Sequence, residues 1–420
     1  MNRAALLLGL ASLALGSLAD PALAQSPRKR AARARPVQAA LDQLRTDNAW
    51  TLEQQRTICE VAAPPFRESA RAEEMARRFR ALGFKSVRID AVGNVIAERA
   101  GRDGGPVVVL SAHLDTVFPE GTDVTVRRTG TVMRGPGIAD DCRGLAILLA
   151  VARALDAASV RTDGTILFVG TVGEEGLGNL RGVRHLLERE LKRVDHFISV
   201  DLNGFELSHR AVGSHRYEIR FSGPGGHSFD AFGMPNPVHA AGRAIAAIAD
   251  LRPPAAPKTT FNVGLIRGGT SINAIAPEAA ISVDLRSESP AELGRLDPSV
   301  RQAVTAAAAA ERDRWPASKA PLRVEIDTLG IRPAGSLPES APIVRAAIAA
   351  AQQLGVRPAS AAYSTDANLP LSRGISALAI GHGGRGAGEH SLAESYDDGA
   401  RGYLGPQWAA LLVTTLAGAR

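Results

Sequence analysis

The chain has 420 residues, 45% of them hydrophobic and 22% charged, a globular composition long enough for two domains of ordinary size without disulfide staples. Its formal net charge of +6 invites a polyanionic partner, but Arg28, Lys29, Arg30, Arg33 and Arg35 crowd into one short tract and leave the rest nearly neutral. With only three Trp and four Tyr to stack on bases, and no recognition motif, that distribution excludes a nucleic-acid reader; the tract reads as a solvated linker or a loose surface-binding tail.

Met1-Asn2-Arg3 leads into an apolar run over 4–18 and then Ala22-Leu23-Ala24 before Gln25, the order of a secretory signal peptide with a small-residue cleavage site. The run falls short of the roughly 20 residues that a spanning helix needs, so no stable membrane anchor is expected. We therefore expect 1–24 to be a cleaved signal, 25–48 a basic linker, and the mature protein to be periplasmic or secreted. Cys59 and Cys142 are too few for a disulfide framework; they can pair, but they read as two buried free thiols.

From residue 51 the pattern becomes globular. Helices are predicted over 51–61 and 69–82, and short strands over 86–89 and 94–98 around the turn Ala91-Val92-Gly93. Residues 106–110 form a continuous apolar run suited to a strand buried on both faces. Leu145, Leu148, Leu149, Ala152 and Leu155 mark a helix over 144–157, followed by a buried strand at 165–169, a helix at 185–192 and a strand at 197–200. Strands alternating with helices imply a mostly parallel sheet covered by helices, an α/β fold.

From 213 the order changes to a strand (215–221), a helix (237–250), two strands (259–266 and 279–286), a long Ala-rich helix (291–312) and a strand (322–326). This β-α-β-β-α-β order is ferredoxin-like and reads as a small α+β domain over 213–326 inserted into a larger one made of 49–212 and 327–420. The larger domain closes with a helix at 341–354, a strand at 377–380 and a helix at 403–416.

The chemistry gathers at strand ends. The first core strand runs into Ser111-Ala112-His113-Leu114-Asp115, where extended backbone puts His113 and Asp115 on one side and the carboxylate can hold the ring nitrogen that a metal leaves free. Gly135-Pro136-Gly137-Ile138-Ala139-Asp140-Asp141 then sets two acids before a helix. A helix N-terminus stabilises an anion by about 1 kcal/mol at most, too little for such a cluster, whereas a divalent cation does far more, and Asp140 can bridge two of them. Glu174 and Glu175 follow the strand at 165–169, one placed to ligate and its neighbour to shuttle protons; Asp201 closes the strand at 197–200.

The ordered set SAHLDTV, GPGIADD, GEEG, VD, GGHS, N-A-I-A-P, DLR and a late G-E-H-S resembles the M20 metallopeptidases, a family that includes glutamate carboxypeptidase, succinyl-diaminopimelate desuccinylase, acetylornithine deacetylase and tripeptide aminopeptidases. The resemblance covers nearly the whole mature chain. It implies a dizinc exopeptidase-like catalytic domain with a lid or dimerisation domain, and two divalent ions, Zn2+ with Co2+ or Mn2+ as alternatives. One ion would sit on His113, Asp140 and Asp201, the other on Asp140, Glu175 and His390, which spacing alone does not choose over His382.

Glu174 becomes the general base and Asp115 the residue orienting His113. His227 matches a histidine that reaches a neighbouring subunit's site, so a homodimer is implied, and Asn273 and Arg286 match residues that contact substrate, a small peptide or an N-acyl amino acid. The sequence departs from the family pattern at Cys142-Arg143, at Ala274-Ile275-Ala276-Pro277, and in having Asp201 where the carboxypeptidase-like branch has Glu. The expected activity is hydrolysis of an amide or peptide bond, the alternatives being a deacylase or an exported binding protein on the same fold.

Overall fold

The structure, a computed structural model, describes residues 27–102 and 104–419, with side chains described from residue 35 onward. The expected signal peptide, 1–24, lies outside the described residues. Among the described residues no helix is long and apolar enough to cross a membrane.

The larger part is a mixed sheet with a parallel centre. Val107–His113 pairs in parallel with Thr165–Thr171 on one side and His196–Leu202 on the other, and His196–Leu202 pairs in parallel with Ser376–Gly381. Antiparallel strands flank this centre: Val95–Arg99 and Ser86–Ile89 at one edge, and Glu206–Ala211 beyond Ser376–Gly381. Successive side chains of the central strand face opposite cores. Val108, Leu110 and Ala112 pack with the helices on one face and Val109 with those on the other, which is why the run is apolar up to the buried Ser111.

The helix Cys142–Ala157 is buried on nearly every side against the first of these cores, together with Met75, Phe79 and Trp408. Helices and strands thus follow the expected α/β order, with local differences. The helix expected at 185–192 is instead a short turn, Arg181–His185, continued by the π-helical turn Leu186–Glu190. The strands Glu206–Ala211 and Ala359–Tyr363 are additions that short, mixed-polarity runs did not announce.

Two expectations are corrected. The tract 25–48 is not a linker: Pro27–Thr46 is helical, and Ala40, Leu41 and Leu44 sit in the main core, an apolar stripe that the upstream charges obscure. Nor are the cysteines free. The helix Asn48–Cys59 ends against the start of the helix Cys142–Ala157, with Cα atoms 5.5 Å apart, and Cys59 and Cys142, both buried, form a disulfide.

A second, four-stranded antiparallel sheet has the order Thr259–Gly268, Glu278–Ser287, Gly213–Ser222, Arg323–Arg332. The helices Pro237–Ala249 and Pro290–Asp313 close its own core around Phe221, Ala244, Ile281 and Val304. Both helices begin with proline behind an Asn or Ser whose side chain accepts a backbone N–H, an efficient start signal. The last strand does not stop at 326 but runs to Arg332, which carries that residue into the site.

Candidate active site

The parallel strands end on one edge, where loops of an α/β sheet gather ligands. His113 is the last residue of its strand; Asp201 is the last but one of the neighbouring strand; Glu174 and Glu175 follow the turn after Thr165–Thr171. A small antiparallel sheet brings in the rest. Val132–Arg134, which precedes the Asp140 loop, pairs with Ser395–Asp397, and that strand pairs with Arg385–Ala387, so the 388–394 loop bearing His390 is held beside the loop bearing Asp140.

The resulting distances are short. His113 Nε2 lies 2.8 Å from Asp140 Oδ1 and 3.6 Å from Asp201 Oδ1. His390 Nε2 lies 3.0 Å from both Asp140 Oδ2 and Glu175 Oε1. Asp140 therefore offers one oxygen to each of two clusters, and the donor atoms within each of them fall within 4.8 Å of one another. His382, the alternative that spacing left open, is buried against the ring of Tyr396 and belongs to neither cluster.

Asp141 has a different task from Asp140. Its carboxylate accepts from Gly144 N at 2.9 Å, capping the helix Cys142–Ala157, and from His113 N at 3.0 Å. Asp115 meets His113, as expected of it, and the paired glutamates as well. Its backbone oxygen, not its carboxylate, is nearest His113 Nδ1, at 3.0 Å against 3.7 Å, while the carboxylate accepts from the amides of Glu174 at 3.1 Å and Glu175 at 2.8 Å. It orients the paired glutamates more directly than the imidazole.

Burial opposes ionisation throughout the cluster. It raises Asp201 and Asp141 well above the ordinary carboxylate range, and neighbouring carboxylates push the same way. For His113, burial works against the charged form, but bonds to Asp140 and Asp201 outweigh it and hold the imidazole well above its usual value. His390, bonded to Asp140 and Glu175, is raised to about 11. A cation placed among these carboxylates and imidazoles would offset the same repulsion that protons offset. Two clusters of one histidine and two carboxylates, sharing Asp140, fit a pair of divalent ions.

A cavity of about 330 Å³ opens over this edge. Arg216, Arg286 and Arg332 line it from the second sheet, facing Glu174, Glu175, Asp201 and His390. Glu174 is buried, which raises its pKa; Arg332, 2.8 Å away, opposes that shift and Glu175 adds to it. Arg216 and Arg286 share Asp284 through their Nε atoms, at 3.1 and 2.7 Å, and Arg216 also donates to the carbonyl oxygen of Gly176. Arg216 and Arg332 are not among the expected site residues; each shares its strand with a second arginine, Arg220 and Arg323, and no local pattern marks which of the two enters the site.

Of the expected residues, His113 and Asp115 are buried and do not line the cavity, and neither do His227 and Asn273. His227 and Asn273 lie together on an exposed two-stranded ribbon, Gly226–His227 with Ala274–Ile275, where Asn273 O accepts from Ser228 N at 2.9 Å.

A mainly parallel sheet whose polar edge gathers two histidine–carboxylate clusters around a shared aspartate is the framework of a metal-dependent hydrolase. Residues 109–403 match the model of peptidase family M20/M25/M40, and the chain belongs to that family. Carboxypeptidase G2 of Pseudomonas sp. (strain RS-16) is 35% identical over 127 residues, 29% of this chain and 30% of that protein, so the likeness spans under a third of either. A tripeptidase from Staphylococcus aureus superposes with a TM-score of 0.70 at 20% identity, covering 87% of this chain and 96% of that one. The YxeP protein of Bacillus subtilis, a dinuclear metal binding peptidase, does so with a TM-score of 0.65 at 19% identity, covering 89% and 99%. At these identities the two structures speak for the fold.

Proposed function

We propose that the protein hydrolyses an amide or peptide bond in a short peptide or an N-acyl amino acid, with Glu174 as general base and two divalent ions, zinc by preference and cobalt or manganese as alternatives. The observation that carries this reading is Asp140 divided between the two donor clusters, with Glu174 carboxylate oxygen, His113 nitrogen and Glu175 oxygen also within 4.8 Å of one another. His113, Asp140 and Asp201 would hold one ion, and Asp140, Glu175 and His390 the other. When bound, the ions would supply the Lewis acidity that acidifies water and polarises a carbonyl.

The chain's own residues do the rest. Glu174 takes the proton of the attacking water and returns it to the leaving nitrogen. Asp115 fixes the Glu174–Glu175 turn through its two amide bonds. Arg286, half exposed and, among the described residues, with no bond from its outer nitrogens, suits a substrate carboxylate, and Arg216 stands beside it. The small, polar cavity favours short charged substrates over bulky apolar ones.

The position of His227, exposed and away from its own chain's cavity, supports a homodimer in which this histidine reaches the neighbouring subunit's site. The edge strand Thr259–Gly268, with Leu265 and Ile266 exposed, offers a surface for such pairing. Export fits both the N-terminal pattern and a disulfide, which persists in oxidising compartments. Free thiols in the purified, unreduced protein would remove the second support.

The reading is tested with Glu174→Gln. The variant should keep two equivalents of metal while losing about 10²–10⁴-fold in kcat, the span of a positioned proton shuttle. Full turnover with metal bound would refute the assignment. Matched di- and tripeptides with free and acylated N-termini then separate peptidase from deacylase.

A further inference from the structure

We propose that Glu394 is a positioning residue for the two-metal site, clamping the 137–140 loop so that Asp140 presents one oxygen to each donor cluster. The inference rests on the two-metal reading and adds to it a residue outside the ligand set.

Glu394 is almost wholly buried, at 1% exposed, and its carboxylate is fully engaged. Oε2 accepts from Gly137 N at 2.8 Å, and Oε1 accepts from Ala139 N at 2.8 Å and Asp140 N at 3.0 Å. Its backbone oxygen accepts from Gly135 N at 3.1 Å, so four amides of one loop converge on a single residue. Charge-assisted bonds of this kind are about twice as strong as neutral ones.

The same segment carries His390. Glu394 N donates to Ser391 O and Ser391 N to Gly388 O, both at 3.1 Å, closing two turns around the histidine, whose φ of 62° is in the left-handed region. One short stretch therefore supplies a ligand to the second cluster and grips the loop that supplies the shared carboxylate. The 3.0 Å separation of His390 Nε2 from Asp140 Oδ2 depends on both. Gly137 shows how closely the loop is packed: a Cβ there would meet Thr116 Cγ2 at 2.7 Å.

Glu394→Gln discriminates positioning from mere stability. Glutamine keeps the shape but has one acceptor oxygen, and its amide nitrogen would face a backbone N–H, donor against donor. Full-length protein is stripped by dialysis against chelator, then titrated with Zn2+ and Co2+ against a chromophoric competitor, with the Co2+ absorption spectrum and the metal-dependent rise in Tm recorded.

The expected result is two equivalents bound by wild type, and in the variant about 10- to 100-fold weaker binding of at least one ion. An altered Co2+ spectrum and a smaller metal-dependent rise in Tm accompany it, whatever the metal-free Tm. Should Glu394→Gln fail to fold, Glu394→Asp, which keeps the charge on a shorter stem, is expected to show the same weakening. Wild-type affinity and spectrum in a folded variant overturn the inference alone. Fewer than two equivalents bound by wild type overturn the two-metal reading, and the inference with it.

Discussion

Arg332 Nη1 donates to Glu174 Oε1 at 2.8 Å, both side chains buried, and Nη2 donates to the backbone oxygen of the same residue. The strand that ends the second sheet thus delivers a counter-charge to the proposed base. Replacing Arg332 by Met leaves a buried carboxylate unpaired, a loss of about 3–5 kcal/mol for a broken buried pair unless the carboxylate takes up a proton. Arg332 opposes the rise that burial imposes on Glu174, so its removal raises the pKa further. A base must be ionised to act; the acidic limb of kcat/KM should therefore move to higher pH in Arg332→Met. Urea unfolding and a pH–rate profile measure both effects, and an unmoved acidic limb would detach Arg332 from the base.

Asp115 makes a second prediction because its carboxylate holds the amides of both Glu174 and Glu175. Asp115→Asn keeps the volume but turns a donor toward one of those amides, at about 1–3 kcal/mol for an unsatisfied buried group. We expect kcat to fall about 10- to 100-fold with KM little changed. If metal affinity for the His113 cluster falls while kcat on the loaded enzyme stays normal, the residue serves the imidazole instead.

What is legible in the sequence, and what is not, follows from the range of each interaction. Buried parallel strands are mostly apolar, broken here only by small serines and an opening His196, so an ionisable residue at the far end of one, such as His113 or Asp201, stands out against its neighbours. The β-α-β-β-α-β order is legible for the same reason, each element carrying its own periodicity. Arg332 and Glu394 leave no such trace. Their partners lie 158 and 254–257 residues away, and neither an arginine at a strand end nor a glutamate in a loop has a local signature. The pairing of Cys59 with Cys142, 83 residues apart, depends on two helix ends meeting. The choice of His390 over His382 turns on a small sheet built from strands only three residues long.

Arg286 and Arg216 predict specificity. Asp284 binds the Nε of each and neutralises one of their two charges, leaving a net positive pair beside the proposed base. Arg286→Ala should raise KM about 10-fold or more for a peptide with a free C-terminal carboxylate and much less for its amidated counterpart, since a charge-assisted contact is worth about 1.5–3 kcal/mol. Arg216→Ala should show the same dependence on the carboxylate, to a smaller degree. Equal effects on the free and amidated peptides would mean that the arginines shape the cavity without reading charge.

The last prediction concerns Asp366, a wholly buried acid beneath the site. Thr171 Oγ1 donates to its Oδ2 at 2.5 Å, while its Oδ1 has no partner among the described residues. Burial, and then the charge of Glu174, push its pKa up to about 7. An unfolded aspartate titrates near 3.9, so the folded state binds the proton more tightly and is favoured by it below about pH 4. That contribution is lost as pH rises through about 7. Asp366→Asn removes the titration, so the stability of the variant relative to wild type should climb between about pH 4 and 7 and then level off. The comparison belongs in metal-free protein, by urea unfolding in chelator, because a bound cation would itself favour the carboxylate. Glu174, Asp115 and His113, charged groups acting on Asp366, titrate in both proteins, so the difference curve reads its proton together with the shifts that its loss causes in them. Parallel curves would mean that Asp366 is ionised across the whole range and that another group compensates its charge.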